Sequence, residues 1–129
     1  MADQPEYRLS CVVADTLRLR GREGLHWFHV PNGESRSART GARLKRIGTK
    51  AGEPDYVLIW KGRAIGLELK EKGGWQSAEQ RAIEEEWRDA GGLYRCVKGY
   101  DEAMAFLELI QVLRPDHSLI RHQPAEARA

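Results

Sequence analysis

The stretch "GEPDYVLIWKGRAIGLELK", from Gly52 to Lys70, constrains this chain more than any other. It reads as two short apolar strands joined by a tight turn, a β-hairpin whose two-residue loop is Lys61-Gly62, between Trp60 and Arg63. In that register Asp55 lies directly opposite Glu68. Directly opposed residues share a sheet face, with Cβ atoms about 4.5–5.5 Å apart. Glu68 and Lys70 are two apart and share that face too. Asp55, Glu68 and Lys70 therefore converge at one end of the hairpin. Two carboxylates that close repel each other unless positive charge sits between them. Lys70 helps, and a divalent cation answers better. Two hard oxygen ligands plus water is how Mg²⁺ is usually held, with phosphate completing the shell. The backbone carbonyl of Leu69 is a further ligand candidate. The plainer alternative makes Asp55, after Pro54, a turn residue, with Glu68 and Lys70 on an exposed polar face. A slip of one residue in the turn would also move every side chain to the other face.

The rest of the chain sets the context for that hairpin. Leu9, Val12, Val13, Thr16, Leu17 and Leu19 recur at helical spacing, and Pro5 and Gly21 suit a start and a stop. "LHWFHV", Leu25 to Val30, reads as a strand closed by "PNG", with Trp27 and His29 on one face and His26 and Phe28 on the other. The segment from Arg36 to Ile47 is basic and partly helical. "SAEQRAIEEEWRDAGG" is a helix with Ser77 as N-cap, a capping box to Gln80, and Gly91 or Gly92 at its end. "LYRCV" is a further strand. "DEAMAFLELIQVL" is a last helix capped by Asp101 and stopped by Pro115. The order predicts an α/β fold, a mixed sheet flanked by helices.

Charge is distributed unevenly. The net charge is only +2, but from Ser35 to Gly52 there is no acid, while Arg36, Arg39, Arg43, Lys45, Arg46 and Lys50 all fall there. Such a window is either a solvated surface or a track for a phosphate backbone, and the absence of any acid favours binding. Lys72 and Trp75 follow the hairpin in a glycine-rich loop and can touch nucleic acid; Trp75 can equally be core. Glu84, Glu85 and Glu86 read as a solvated helix face. Cys11 and Cys96 form no CxxC pair and sit among apolar residues, so both are expected as buried reduced thiols. His26 and His29 lack a partner at metal-ligand spacing, which argues against zinc, and His29 reads as a hydrogen-bonded structural histidine. With 129 residues, 41% hydrophobic and 31% charged, one soluble globular domain is expected, its core about 6–113 and residues 114–129 a loose tail. Charges stand where a signal peptide would be apolar, and no stretch approaches membrane length, which points to the cytoplasm.

Pro54-Asp55 followed by Glu68-Leu69-Lys70 resembles the PD-(D/E)xK nuclease signature. The fuller pattern resembles the VRR-type nuclease domains, in particular the small stand-alone phage and bacterial members. The matching stretches are "FHVPNG", "ARLKRIGTKAGEPD", "GLELK", "SAEQ", "WRDAGG" and "GYDEAMAFL", spread over roughly Glu6 to Leu107. A bare PD…ExK is short and common by chance, whereas ordered blocks at compatible spacing are specific. The resemblance implies a restriction-endonuclease-like core (α-β-β-β-α-β order with an extra basic helix) and a phosphodiesterase acting on DNA with Mg²⁺ or Mn²⁺. It implies Asp55 and Glu68 as metal ligands, and Lys70 as the group that positions water or stabilises charge on the phosphate. Gln80 matches the family's supporting glutamine. Glu6 is the candidate for a first-helix glutamate, with Glu34 as competing third carboxylate. The stand-alone members resemble junction-resolving homodimers, so branched DNA, such as a four-way junction, is the expected partner, in a bacterial or phage-infected cell. A catalytically silent nucleic-acid-binding module and a restriction-type nuclease guided by a partner are the alternatives.

Overall fold

The computed structural model describes residues 4–31 and 37–116. Its elements run α1 (Pro5–Arg20), β1 (His26–His29), α2 (Ala38–Arg46), β2 (Tyr56–Trp60), β3 (Arg63–Lys70), α3 (Ala78–Asp89), β4 (Leu93–Lys98) and α4 (Gly99–Leu109). The strands form one sheet in the order β1-β2-β3-β4. β1, β2 and β3 are antiparallel neighbours, and β4 lies parallel to β3, reached through the crossover helix α3. This is the mixed, helix-flanked α/β sheet that the sequence predicts.

The hairpin register is the expected one. Trp60 pairs with Arg63 and Tyr56 with Leu67. Lys61 and Gly62 both have positive φ, 49° and 79°, as a two-residue hairpin turn of matching twist requires. Alternation then divides the sheet. Tyr56, Leu58, Ile65, Leu67 and Leu69 face α1 and α4, forming the core with Leu9, Val13, Leu17, Val97, Phe106 and Leu107. The opposite face carries Gly66, Glu68 and Tyr94 against α3, whose Trp87 meets Tyr94 edge-on with ring centroids 6.2 Å apart. Gly66 permits this approach: a Cβ there would stand 3.0 Å from Pro54 Cγ and 3.1 Å from the Tyr94 ring.

Helix ends follow local chemistry. Ser77 accepts from the Gln80 N–H while Gln80 Oε1 accepts from the Ser77 N–H, closing the capping box. α4 departs from expectation. Asp101 does not cap it; the helix begins at Gly99, and Glu102 Oε2 accepts from the Lys98 N–H at 2.7 Å. It also ends at Leu109, well before Pro115, because Gln111 takes a left-handed φ of 61° and sends Val112 and Leu113 back into the core. Arg114, assigned to the tail, is tied to the end of α1 by an N–H donated to Arg20 O at 2.7 Å. Neither thiol is fully buried: Cys11 is exposed on the solvent side of α1, and Cys96 is partly buried, because apolar sequence neighbours on a helix or strand do not share its face. Among the described residues no helix is long and apolar enough to cross a membrane.

Candidate active site

β3 is longer than its partner. β2 begins at Tyr56, opposite Leu67, so Glu68, Leu69 and Lys70 run on with only β4 beside them. Asp55, the residue before β2, fills that gap with its side chain: Oδ2 accepts the Leu69 N–H at 2.7 Å. The carboxylate takes the place of a missing ladder bond, which pins it at the sheet end next to Glu68. Burial raises the Asp55 carboxyl above its ordinary value; the Leu69 N–H opposes this, the charges of Glu68 and Glu6 add to it, and His29 works against it.

Glu68 is the buried acid among the described residues, only 1% exposed. Its Oε1 accepts from the Tyr94 hydroxyl at 2.9 Å. Its Oε2 is buried without a hydrogen-bond partner among the described residues. Burial, and after it the adjacent Glu68, push the Cys96 thiol on β4 up to about 12, so that group stays a neutral and weak donor. Burial and Glu68 push the Tyr94 phenol upward as well, keeping it protonated as a donor. Leaving a buried polar atom unmatched costs on the order of 1–3 kcal/mol, and more when charged. A buried carboxylate oxygen left unmatched in this way is the chemistry that suits a cation.

Lys70, partly buried, lies two residues along the same face, with its stem against the loop that follows: a Cβ at Gly74 would meet Lys70 Cβ at 3.4 Å and Cδ at 3.6 Å. Glu6 is in the first turn of α1 and is exposed. It lines, with Asp55 and His29, a cleft of about 660 Å³ between α1 and the β1–β2 edge. The cleft's inner wall is aromatic: the rings of His29 and Trp27 lie 5.2 and 6.1 Å from that of Tyr56, and Arg18 covers Trp27. His29 is thus drawn to the carboxylate end. Glu34 and Arg36 lie outside the described residues.

The remaining candidates divide. Gln80, half-buried at the start of α3, has its side-chain oxygen engaged in the capping box. The loop before Asp55 packs on that same turn, for Gly52 at φ +91° leaves no room for a Cβ, which would lie 2.7 Å from the Glu79 carbonyl. Arg39, Arg43, Lys45 and Arg46 are all exposed on α2, a helix that buries none of its residues. Arg39, Arg43 and Arg46 share one side of it, at i, i+4 and i+7. Lys50 is not a free cation, since it pairs with Glu86 at 3.2 Å. Glu84 is less solvated than expected, accepting from Gln76 Nε2 and pairing with Arg88. Lys72 and Trp75 are exposed, so Trp75 is not core.

Sequence reasoning missed Tyr94 and Lys98. Tyr94 holds Glu68, and Lys98 is the parallel-register neighbour of Lys70. Both depend on the alignment of β4 beside β3, which no turn length fixes. Among the described residues no three His, Cys, Asp or Glu side chains gather as a metal cage. Two carboxylates, one with an unmatched oxygen, nonetheless fit a hard divalent cation that keeps water and substrate oxygens in its shell.

No protein-family model matches the sequence, and no curated protein matches it. Solved structures do. One, a "VRR_NUC domain protein", superposes with a TM-score of 0.69 at 22% identity, over 90% of this chain and 96% of that one. Another, a "VRR_NUC domain", gives 0.58 at 17% identity, over 82% of this chain and 97% of the other. The fold of this chain is therefore that of the VRR_NUC domain structures, a restriction-endonuclease-like α/β sheet, in agreement with the resemblance read from its motifs.

Proposed function

We propose that this chain is a Mg²⁺- or Mn²⁺-dependent DNA endonuclease that hydrolyses phosphodiester bonds at the open end of β3. The observation that carries this reading is the unmatched, buried Glu68 Oε2 beside Asp55, with Lys70 on the same face. Asp55 and Glu68 hold the metal. The Leu69 carbonyl joins them, because within a strand the N–H and C=O of one residue face the same neighbour, and the Leu69 N–H faces Asp55. The bound ion supplies Lewis acidity and lowers the pKa of water.

The protein's own groups do the rest. Tyr94 donates to Glu68 Oε1 and fixes the carboxylate, which leaves Oε2 as the oxygen for the metal. Leu69 N–H fixes Asp55 in the same way. Lys70 presents a fixed positive charge where negative charge grows on the phosphoryl oxygens, a preorganised form of stabilisation. Glu6, across the cleft from Asp55, is the third carboxylate of the site and supports the attacking water. Gln80 acts through the first turn of α3, keeping the Gly52–Asp55 loop in place. The Arg39, Arg43 and Arg46 stripe, with Lys45, Arg36 and Lys72, tracks the phosphate backbone, which makes binding salt-dependent and indifferent to sequence.

Branched DNA is the substrate class this reading favours, cut by a homodimer whose two sites match the near-twofold symmetry of a four-way junction. The test is cleavage of labelled four-way junction, splayed-arm and linear duplex DNA with Mg²⁺, Mn²⁺ or EDTA, with Lys70→Ala in parallel. Metal-dependent cutting of the junction that the variant loses is the expected result. Binding without cutting under every metal would sink the nuclease reading in favour of a silent binding module.

A further inference from the structure

Trp75 is 81% exposed, more than any other large apolar side chain of the described residues. It stands in the Glu71–Gln76 loop that leaves the catalytic strand. It is held rather than loose: Lys98 Nζ sits over its ring, 4.4 Å from the centroid. Gly74, the residue before it, lies against the stem of Lys70, and the Gly74 N–H closes a turn to Glu71 O at 2.9 Å. The ring is therefore anchored beside the proposed reaction centre.

The charge around it is equally unusual. Lys70 and Lys98 are register partners on parallel strands, so their side chains leave the same face side by side. Like charges paired across strands destabilise a sheet. Lys72 adds a third cation on the loop, against Gly99. A cluster of lysines with an uncovered aromatic face is the pairing that binds unpaired nucleotides: cations for the backbone and a π-face for the base. A buried duplex base offers no face to such a ring, whereas an unpaired base does.

We infer that Trp75, clamped by Lys98, is a stacking platform for a base left unpaired at the branch point next to the scissile phosphate, so that the enzyme selects branched substrates that expose an unpaired base at the cut. Lys98 does double duty, fixing the ring and meeting the phosphate beside Lys70. The inference rests on the nuclease reading for its cut site, but its test does not need turnover.

The probe is an oligonucleotide flap carrying 2-aminopurine at the first unpaired position, compared with a fully paired duplex of equal length, in EDTA. Stacking on Trp75 quenches the probe. Trp75→Ala is expected to lose the quench and to weaken flap binding by roughly five- to a hundredfold. Trp75→Phe should retain most of both, and Lys98→Ala should weaken the quench. Unchanged thermal unfolding of the Trp75 variants confirms that the fold is intact. Equal quench in wild type and Trp75→Ala, or an equal loss of affinity for flap and duplex, would overturn the platform. Cleavage of the same flap with Mn²⁺ separates the two ideas. Quench without cleavage of this flap or of the four-way junction leaves the platform standing and removes the nuclease; cleavage without quench does the reverse.

Discussion

One hairpin has two ends built to different rules. At the turn, Lys61 and Gly62 take the left-handed conformations a tight loop needs, and Trp60 faces Arg63 in ordinary register. Lys61 even covers the Trp60 ring, 5.2 Å from its centroid. Among the described residues, no buried side-chain polar atom at that end lacks a partner. At the other end, some five residues along the same two strands, the Asp55 and Glu68 carboxylates are close enough to raise each other's cost, and the buried Glu68 Oε2 has no partner among the described residues. The sequence of the hairpin is locally consistent at the turn and locally inconsistent at Asp55 and Glu68. Such inconsistency, kept inside a well-formed sheet, is where a folded chain spends stability on function.

The sharpest way to break the comparison is to neutralise the open end. Asp55→Asn keeps the shape and can still accept the Leu69 N–H, but removes a charge that burial and the Glu68 and Glu6 carboxylates disfavour. Cleavage should fall by roughly a hundredfold to ten-thousandfold. Thermal unfolding in metal-free buffer should show the variant at least as stable as wild type. A large loss of stability together with activity would mean that the carboxylate is a structural group and the two ends do not differ in kind. Adding Mg²⁺ or Mn²⁺ should stabilise wild type through binding to the native state alone, and the variant much less.

Between the two ends lies Gly66, where the sheet admits α3. A methyl group there meets Pro54, Tyr94 and Trp87 at 3.0 to 3.3 Å. Gly66→Ala should cost about 1–3 kcal/mol by overpacking, read from denaturant unfolding. It should also lower activity, since Pro54 carries Asp55 and Tyr94 carries Glu68. Gly62→Ala strikes only the turn. Its φ of 79° disfavours a side chain although space is open, so the loss should be near 1 kcal/mol, with cleavage per folded molecule unchanged.

How much of this was legible without the structure follows from the range of the interactions. The hairpin was readable because its turn fixes register over a few residues, so the pairing from Trp60 with Arg63 to Tyr56 with Leu67 followed from counting. Capping at Ser77 was readable for the same reason. The partner of Glu68 was not, because Tyr94 reaches it through a crossover whose alignment only the packed sheet sets. Lys98 was hidden likewise beside Lys70. Asp101 misled because any acid near a helix start resembles a cap, and Glu102 was the one in reach. Lys50 looked like a free cation in an acid-free window, yet Glu86 comes to it from α3 across the fold.

The mildest test improves the turn instead of damaging it. Lys61 is a non-glycine residue at φ 49°, a conformation that asparagine tolerates better. Lys61→Asn creates the Asn-Gly pair favoured in such turns, at the loss of the lysine's contact with Trp60. The two effects oppose each other and are of similar size, so the expected net change stays within about 0.5 kcal/mol. Metal affinity and cleavage rate should not move, because the turn end shares no group with the carboxylates. If a change this small at the turn altered metal binding, the hairpin would be one coupled unit, and the stability of its closed end would be part of the machinery of its open one.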